Sequence, residues 1–487
     1  MKEELNKKIL SATKWSAVAE ILSKLITPIV SIVLARLLTP EAFGIVTTLT
    51  MIITFAEIFT DAGFQKYIIQ HNFKDQEDLE QSVNVAFWSN LILSLFLWGI
   101  ISLFADELSS IVGNPGLGYV LIIACISIPI EAFSSIQFAI YKRNLDFKTL
   151  LKVRIIGICV PLFITIPLAF YMRDFWALVI GTIAQNVVNA LCLTIFSSWK
   201  PKCHYSFLKL KEMLSFSIWS MIESVSIWAT NYIDIFLVGT ALNQYYLGLY
   251  KTSSTTVGQI TSIVTSITTP ILFSALSRLQ NNKKEFDNLF FTFQKCVGLL
   301  IIPLGVGIFC FSDFITLVLL GNQWMETSGF IGLWGVTSAL TIVLSHYSSE
   351  VYRAKGRPKL SVFAQFLHII VLGPAVYIAV QYDYHTLYVT RSLVRLELIL
   401  VNLIIMYHVV KISPLKMLIN IAPACLASMV MACVAFALLH FHNEISYQIL
   451  FIVVCIIVYA GVIYLFPKER AIIQKYIIPQ KLRNHTK

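Results

Sequence analysis

The chain has 487 residues, of which 57% are hydrophobic and 13% are charged, and its formal net charge is +10. Soluble globular domains carry roughly 25% charged residues, so this composition excludes an ordinary soluble protein. Apolar runs of about twenty residues recur along the chain, and a helix needs that length to cross a bilayer. The runs are too long for barrel strands, and helices satisfy their own backbone polar groups in lipid. The sequence therefore predicts an all-α polytopic membrane protein.

Fourteen candidate spans follow one another along the chain. The first span comes after a basic segment, but Glu20 and Lys24 interrupt it, so we expect a retained helix and not a signal peptide. In chain order the spans lie near residues 15–37, 44–61, 83–104, 118–140, 152–171, 176–196, 214–240, 247–275, 289–311, 328–351, 362–380, 387–409, 419–440 and 446–466.

The distribution of basic residues predicts the orientation of these spans. Most of the 37 Lys and Arg residues lie before the first span, in the even-numbered loops and in the C-terminal tail. The odd-numbered loops near residues 106–107, 313–326 and 440–444 carry none. By the positive-inside rule both termini are cytoplasmic. The same asymmetry accounts for the positive net charge, so no nucleic-acid partner is expected.

Three pairs of matching motifs predict an internal duplication. The pairs are Phe43-Gly44 with Leu247-Gly248, Gly113-Asn114 with Gly321-Asn322, and Y-K-R-N-L-D-F-K (141–148) with Y-R-A-K-G-R-P-K (352–359). Each repeat holds six spans, so both enter the membrane in the same sense and an axis along the membrane normal relates them, with a central site between them. The predicted organisation is an N-terminal six-helix bundle (1–197), a cytoplasmic linker (198–213), a C-terminal six-helix bundle (214–411), and two extra helices with a basic tail (412–487).

Polar residues recur at helical spacing on one face of several spans. Spans five, thirteen and fourteen show nothing comparable. Buried hydroxyls can also bond back to their own helix or join helices, which is the alternative for each one taken singly. The stripes are Ser16, Glu20, Lys24, Thr27 and Ser31 in span one; Thr47, Thr50, Thr54, Glu57 and Asp61 in span two; Ser220, Ser224, Asn231 and Asp234, with Glu223 adjacent, in span seven; and Lys251, Thr255, Gly258, Ser262, Thr265 and Thr269 in span eight.

Charges at membrane depth are costly and mark functional sites. The candidate substrate-binding residues are Lys24, Lys251, Asn231, Thr255, Arg391 and Arg395, and the candidate ion-coupling residues are Glu20, Glu57, Asp61 and Asp234. Each has a structural alternative. Glu20 and Lys24 have the spacing of a local ion pair, Lys251 can extend to the interface, and Arg391 and Arg395 can pair with Glu397. The nine cysteines and the histidines lack metal-ligand spacing, so no metal or other cofactor is expected.

The chain resembles the multidrug/oligosaccharidyl-lipid/polysaccharide exporter superfamily, in particular its Wzx-like flippases and teichuronic-acid-type exporters. The motifs that carry the resemblance are A-R-L-L-T-P-E-A-F-G (35–44), D-A-G-F (61–64), D-I-F-L-V-G-T-A-L-N-Q-Y-Y-L-G-L-Y (234–250), Ile302-Pro303 with L-L-G-N-Q-W (319–324), and R-A-K-G-R-P-K-L (353–360). The resemblance implies two six-helix bundles around a cavity lined by spans one, two, seven and eight.

The resemblance also implies a function and partners. It implies that the chain moves undecaprenyl-pyrophosphate-linked oligosaccharide to the outer leaflet for lipopolysaccharide or exopolysaccharide biosynthesis, by alternating access driven by an ion gradient. A polymerase and chain-length machinery are the implied protein partners, and the membrane lipid surrounds the spans. Relatives that move lipid-linked peptidoglycan precursor have an arginine-rich cavity, whereas the candidate cavity cations here are Lys24 and Lys251. Spans thirteen and fourteen are a candidate groove for the polyprenyl tail.

Two other functions are compatible with parts of the sequence. A cation-coupled multidrug exporter would share the fold, although such exporters usually select acidic or aromatic pockets. A polysaccharide polymerase would be an enzyme and would tend to need a sizeable outward loop with catalytic residues, which is not found between the spans. We therefore expect a transporter without enzymatic activity.

Overall fold

The computed structural model describes residues 2–61, 63–203, 205–441 and 444–472. Within these ranges every regular element is helical, which confirms the all-α prediction. The chain divides into two compact units, residues 1–251 and residues 252–487. This division lies farther along the chain than the predicted linker at 198–213, and the assignment of the two repeats stays a prediction.

The first unit contains all helices up to the start of α12. They are α1 (Lys2–Leu37), α2 (Pro40–Asp61), α3 (Phe64–Gln70), α4 (Gln76–Leu103), α5 (Ala105–Ile111), α6 (Gly118–Ala124), α7 (Ser127–Arg143), α8 (Phe147–Val160), α9 (Ile166–Met172), α10 (Trp176–Phe196) and α11 (Phe207–Ala241). Helix α12 (Gln244–Arg278) begins in this unit and continues into the second.

The second unit contains the rest of α12 and all later helices. They are α13 (Lys283–Cys310), α14 (Ser312–Leu319), α15 (Ser328–Thr341), α16 (Tyr347–Ala354), α17 (Lys359–Ala379), α18 (Tyr384–Ile405), α19 (Pro414–Phe441), α20 (Ile445–Tyr464) and α21 (Pro467–Ile472). Helix α13 packs on α15 and α19, and α17 packs on α18.

Thirteen segments of the described chain are long and apolar enough to cross a membrane. They coincide with thirteen of the fourteen predicted spans. The remaining predicted span, 214–240, lies within α11, several of whose side chains fall outside the described residues. A polytopic protein with about fourteen spans is therefore confirmed.

The spans are not all uninterrupted α-helices. Residues Pro161–Thr165, Ile342–His346 and Met406–Val410 form π-helical turns that continue α8, α15 and α18. The first of these turns begins at Pro161, which lacks the N–H that an α-helical bond would need. These turns were not predicted, because apolar periodicity does not distinguish α from π geometry.

Two short helices occupy predicted outward loops at matching positions of the proposed repeats. Helix α5 precedes Gly113 and Asn114, and helix α14 precedes Gly321 and Asn322. Both glycines have positive φ, 82° and 104° respectively, a conformation that favours glycine over other residues. The shared arrangement of short helix, left-handed glycine and asparagine supports the proposed duplication beyond the sequence matches.

The start of α2 crosses the start of α12 at very short range within the first unit. A methyl group added at Gly44 would overlap the carbonyl oxygen of Gln244, and one added at Gly248 would overlap the carbonyl oxygen of Pro40. The offset of 204 that separates Phe43 from Leu247 also separates Pro40 from Gln244 and Gly44 from Gly248, so these four residues are two equivalent pairs in the proposed duplication. The crossing therefore has local two-fold symmetry, and glycine is what permits it.

Candidate functional site

The carboxylate of Glu20 on α1 lies between two cations. One oxygen is 3.8 Å from the Lys24 Nζ, and the other is 3.1 Å from a guanidinium nitrogen of Arg154 on α8. The local pair with Lys24 is thus present, but Arg154 is the closer partner. Arg154 lies near the start of span five and was not among the predicted site residues. All three side chains are 37–43% exposed, so each ion pair is a modest interaction.

A cavity of about 620 Å³ lies inside the first unit, beside the loop between α7 and α8. We call it the basic cavity, because Lys142 and Arg154 are among its lining residues. Its other polar lining residues are Ser16, Gln65, Glu131, Ser134, Ser135, Asn186 and Asn189. Ser16 belongs to a predicted polar stripe, and Lys142 and Phe147 belong to the repeat motif at 141–148, but the cavity itself was not predicted.

A second cavity, of about 270 Å³, contains the two acidic residues predicted for span two. Glu57 and Asp61 line it together with Glu131 of α7, and we call it the acidic cavity. Glu131 also lines the basic cavity, as do Gln65 and Ser135. The two cavities therefore share one wall, and Glu131 joins the predicted carboxylates to the basic cavity.

Asp234 and Lys251 lie close together, although they come from different helices. Asp234 on α11 is buried and accepts a hydrogen bond of 2.6 Å from the hydroxyl of Tyr250 on α12. Lys251 interacts electrostatically with Asp234, and its Nζ lies 5.8 Å from the centre of the Tyr232 ring. Lys251 therefore has an acidic neighbour within the first unit. The two residues lie on either side of the turn between α11 and α12, and this turn brings the charges together.

Many hydroxyls of the predicted stripes bond to their own helix. Thr47, Thr50 and Thr54 each donate to the carbonyl oxygen four residues earlier, at 2.7–2.8 Å. These bonds satisfy the hydroxyls locally, as the structural alternative predicted. Asn231 and Thr255, by contrast, have exposed side chains within their units. Convergence of the stripes on one cavity stays a prediction.

Arg391 and Arg395 on α18 share one aromatic surface in the second unit. Their guanidinium carbons lie 4.8 Å and 4.0 Å from the centre of the Trp334 ring on α15, and Arg395 donates a 2.6 Å hydrogen bond to the hydroxyl of Ser338. Such cation–π contacts are stronger where water is excluded. Trp334 was not predicted, because the sequence carries no signal that pairs an aromatic residue with arginines on a distant helix.

Two histidines of the spans, His346 and His368, have polar partners. The Nδ1 of His368 lies 2.8 Å from a carboxylate oxygen of Glu397, so Glu397 pairs with a histidine. The Nε2 of His346 lies 3.2 Å from the hydroxyl of Thr269. In the described part of the chain, no three His, Cys, Asp or Glu side chains are placed to hold a metal ion.

These helices and their charged residues at membrane depth define a multi-pass α-helical membrane protein. Residues 33–329 match the family described as "Polysaccharide biosynthesis protein". The match covers more than half of the sequence, so the chain belongs to the polysaccharide biosynthesis protein family. The resemblance to the multidrug/oligosaccharidyl-lipid/polysaccharide exporter superfamily is confirmed.

Three curated relatives share 21–24% identity with the chain. An uncharacterized membrane protein in the cps region of Klebsiella pneumoniae is 24% identical over 77% of this chain and 76% of its own length. The lipopolysaccharide biosynthesis protein WzxC of Escherichia coli is 22% identical over 76% of each chain. The succinoglycan biosynthesis transport protein ExoT of Rhizobium meliloti is 21% identical over 63% of this chain and 62% of its own.

Solved structures show the same fold. The lipid II flippase MurJ in an inward closed conformation superposes with a TM-score of 0.73 and 16% identity, covering 93% of this chain and 99% of MurJ. An inward-facing multidrug resistance MATE family transporter of the MOP superfamily superposes with a TM-score of 0.59 and 14% identity, covering 85% of this chain and 98% of the transporter. At these identities the likeness concerns the fold alone.

Proposed function

We propose that the chain is a flippase that carries undecaprenyl-pyrophosphate-linked oligosaccharide across the bacterial cytoplasmic membrane for surface polysaccharide biosynthesis. The observation that carries this proposal is the family match over residues 33–329, together with relatives named for lipopolysaccharide and succinoglycan biosynthesis. The cargo is moved unchanged, so the chain acts as a transporter and not as an enzyme. A polymerase and chain-length machinery would act on the cargo afterwards.

Charged residues at membrane depth support a transport role. A charge at the centre of a membrane helix costs about 2.5–3.5 kcal/mol on insertion scales, and such residues mark the paths of ions and substrates. Here Glu57 and Asp61 line a cavity, while Asp234 is hydrogen-bonded and lies beside Lys251. We assign ion coupling to Glu20, Glu57, Asp61 and Asp234. We assign cargo binding to Lys24, Lys251, Asn231, Thr255, Arg391 and Arg395.

The direction of transport agrees with the electrical gradient. An inside-negative membrane potential stabilises an anion on the outer side by about 2.3 kcal/mol per charge per 100 mV. A pyrophosphate head group therefore moves outward downhill, and an inward-moving cation also moves downhill. Protonation or cation binding at the carboxylates would reset the carrier after each cargo is released.

Deletion of the gene tests the proposed function. The expected result is loss of the surface polymer and accumulation of lipid-linked oligosaccharide on the cytoplasmic leaflet, measured by protection from an added glycosidase in spheroplasts. Re-expression of the chain should restore the surface polymer and remove the accumulated lipid-linked oligosaccharide. Normal polymer with increased drug sensitivity would instead support a multidrug exporter, the function named for the MATE structure with this fold.

The proposed orientation, with both termini and the linker cytoplasmic, has its own test. Cys203 is exposed and lies in the linker. In a variant that keeps Cys203 as its single cysteine, a membrane-impermeant maleimide should label inside-out vesicles and not intact spheroplasts. Labelling of intact spheroplasts would contradict this orientation.

A further inference from the structure

The basic cavity combines two cations with neutral polar groups along its walls. Lys142 lies in the last turn of α7, beside the loop that leads to α8, and its Nζ lies 4.2 Å from the centre of the Phe138 ring. Arg154 on α8 is the second cation of the lining. Asn186 and Asn189 on α10 supply amide groups to the same cavity. A cavity of about 620 Å³ falls in the usual range for small-molecule sites, roughly 300–1,000 Å³.

The cavity also has a defined direction. Glu131 and Lys142 both line it and both lie on α7, eleven residues apart. At 1.5 Å per residue this separation is about 16 Å along the helix axis. The Lys142 end lies beside the loop between α7 and α8, which is predicted to be cytoplasmic. The Glu131 end lies within the helix bundle and adjoins the acidic cavity.

A tight local contact shapes the wall that carries the amides. A methyl group added at Gly157 of α8 would overlap the Oδ1 of Asn189, so the glycine makes room for this side chain. Asn189 is thus held between α8 and α10 and lines the cavity. An amide both donates and accepts hydrogen bonds, as a sugar hydroxyl also does. The aromatic ring of Phe138 adds an apolar surface beside the cation.

We propose that the basic cavity is the entry site for the head group of the lipid-linked sugar. The pyrophosphate binds at Lys142 and Arg154, and the first sugars extend inward along Asn186 and Asn189 toward Glu131. The polyprenyl tail stays in the bilayer outside the unit. This inference deepens the proposed function and rests on it, and it adds a site to the cargo residues Lys24 and Lys251.

Charge explains why the sugar and not the phosphate faces Glu131. A carboxylate repels a second anion at close range, whereas it accepts hydrogen bonds from hydroxyl groups. The phosphate is therefore held at Lys142 and Arg154. Arg154 also contacts Glu20 at 3.1 Å, so an arriving phosphate competes with Glu20 for the guanidinium. Cargo binding would then weaken the contact between α1 and α8.

A binding experiment on the purified full-length protein tests this site. The protein is placed in phosphatidylcholine nanodiscs and titrated with farnesyl-pyrophosphoryl-N-acetylglucosamine and, separately, with farnesyl pyrophosphate. Loss of one charge-assisted hydrogen bond weakens binding about tenfold to a hundredfold, so Lys142→Gln should raise the Kd by that factor. Lys142→Arg should bind nearly as the wild type does. Asn189→Leu, which removes the amide without adding a charge, should weaken the sugar-bearing probe more than farnesyl pyrophosphate.

Lys152→Gln is the matched control. It removes the same charge from α8 two residues before Arg154, but Lys152 is exposed and is not among the lining residues. Its Kd should equal that of the wild type. An equal rise in Kd for Lys142→Gln and Lys152→Gln would show unspecific electrostatic attraction and overturn the site. An unchanged Kd for Lys142→Gln would also overturn it, because Lys142 would then not contribute to binding. The thermal unfolding midpoint of each variant is recorded. If Lys142→Gln does not fold, Asn189→Leu decides, and equal Kd values for Asn189→Leu and the wild type with the sugar-bearing probe would overturn the site.

Two further measurements identify the molecule that binds in the basic cavity and separate this inference from the proposed function. If nanodiscs with phosphatidylglycerol abolish probe binding to the wild type, the cavity holds a phospholipid head group and the cargo assignment fails. Polymer export is then measured in cells that carry Lys142→Gln. Normal export with this variant, alongside loss of export on gene deletion, would reject the site and leave the flippase function intact. Normal export after deletion would reject the function itself.

Discussion

Gly44 and Gly248 lie in reciprocal contacts, each against a backbone carbonyl of the helix that carries the other. Because a side chain at either position would overlap that carbonyl, α2 and α12 can approach this closely only where glycine is present. We expect Gly44→Ala and Gly248→Ala to lower the free energy of unfolding by about 1–3 kcal/mol, the usual cost of overpacking. Thermal unfolding of the purified protein measures this effect.

The control for this pair is Gly258→Ala. Gly258 also lies in α12, but no atom outside its own stretch of helix lies within 4 Å of an added methyl group. Alanine is a better helix former than glycine by about 1 kcal/mol, so this variant should be neutral or slightly more stable. A loss of stability in Gly258→Ala equal to that in Gly44→Ala would show that the close crossing is not the cause.

The ion pairs of Glu20 predict which double variants regain polymer export. If Lys24 and Arg154 serve only to neutralise Glu20, the double variants Glu20→Ala/Lys24→Ala and Glu20→Ala/Arg154→Ala should export polymer at the wild-type rate. If Lys24 binds the phosphate, as we propose, Lys24→Ala should reduce export sharply, Lys24→Arg should restore part of it, and Glu20→Ala/Lys24→Ala should stay inactive. Polymer export in cells with equal amounts of folded protein distinguishes the two results.

Asp234 and Tyr250 allow structural and transport roles to be separated. Tyr250→Phe removes the 2.6 Å hydrogen bond to a buried carboxylate and should cost about 1.5–3 kcal/mol of stability. Asp234→Asn keeps an acceptor for the tyrosine but removes the charge. We expect Asp234→Asn to keep most of the stability and to abolish transport driven by an imposed ion gradient in proteoliposomes. Gradient-driven transport by Asp234→Asn at the wild-type rate would exclude Asp234 from ion coupling.

Within the second unit, a buried ion pair joins α21, the last described helix, to α13. Lys295 on α13 and Glu469 on α21 are 2.7 Å apart, with side chains only 14% and 4% exposed. Removing one partner of a buried pair leaves an uncompensated charge, so Glu469→Ala should cost about 3–5 kcal/mol. The double variant Lys295→Met/Glu469→Leu should regain most of this stability. Equal unfolding midpoints for Glu469→Ala and the wild type would contradict the prediction.

The membrane spans were predictable because the bilayer imposes a length and an apolar composition on each of them. Their ends agree with the helices to within a few residues in most cases, as for 176–196 and α10. The short helices α5 and α14 were not predicted, because seven or eight residues carry too little periodicity to separate a helix from a loop. The family could be recognised from five motifs in the right order, whereas any one of these motifs alone is too variable to identify it.

The partners of the charged residues were much less predictable. Glu20 and Lys24 are one turn apart on one helix, so their contact follows from helical geometry. Arg154 meets Glu20 only because α8 packs on α1, and nothing in the sequence near either residue indicates that packing. Lys251 and Asp234 were both identified, but their proximity depends on how α11 and α12 fold back. Glu131 was overlooked because it stands alone in an apolar span.

The pairing of Lys295 with Glu469 also imposes an order of events during synthesis. The two residues are 174 positions apart, and ribosomes add about 5–20 residues per second, so Lys295 enters the membrane about 10–35 s before its partner exists. During that interval the charge of Lys295 lacks the carboxylate of Glu469 as its partner. Packing around α13 can be completed only after the chain through α21 has left the ribosome. A nascent chain stalled before residue 469 would therefore remain open to the membrane proteases that remove unfinished proteins.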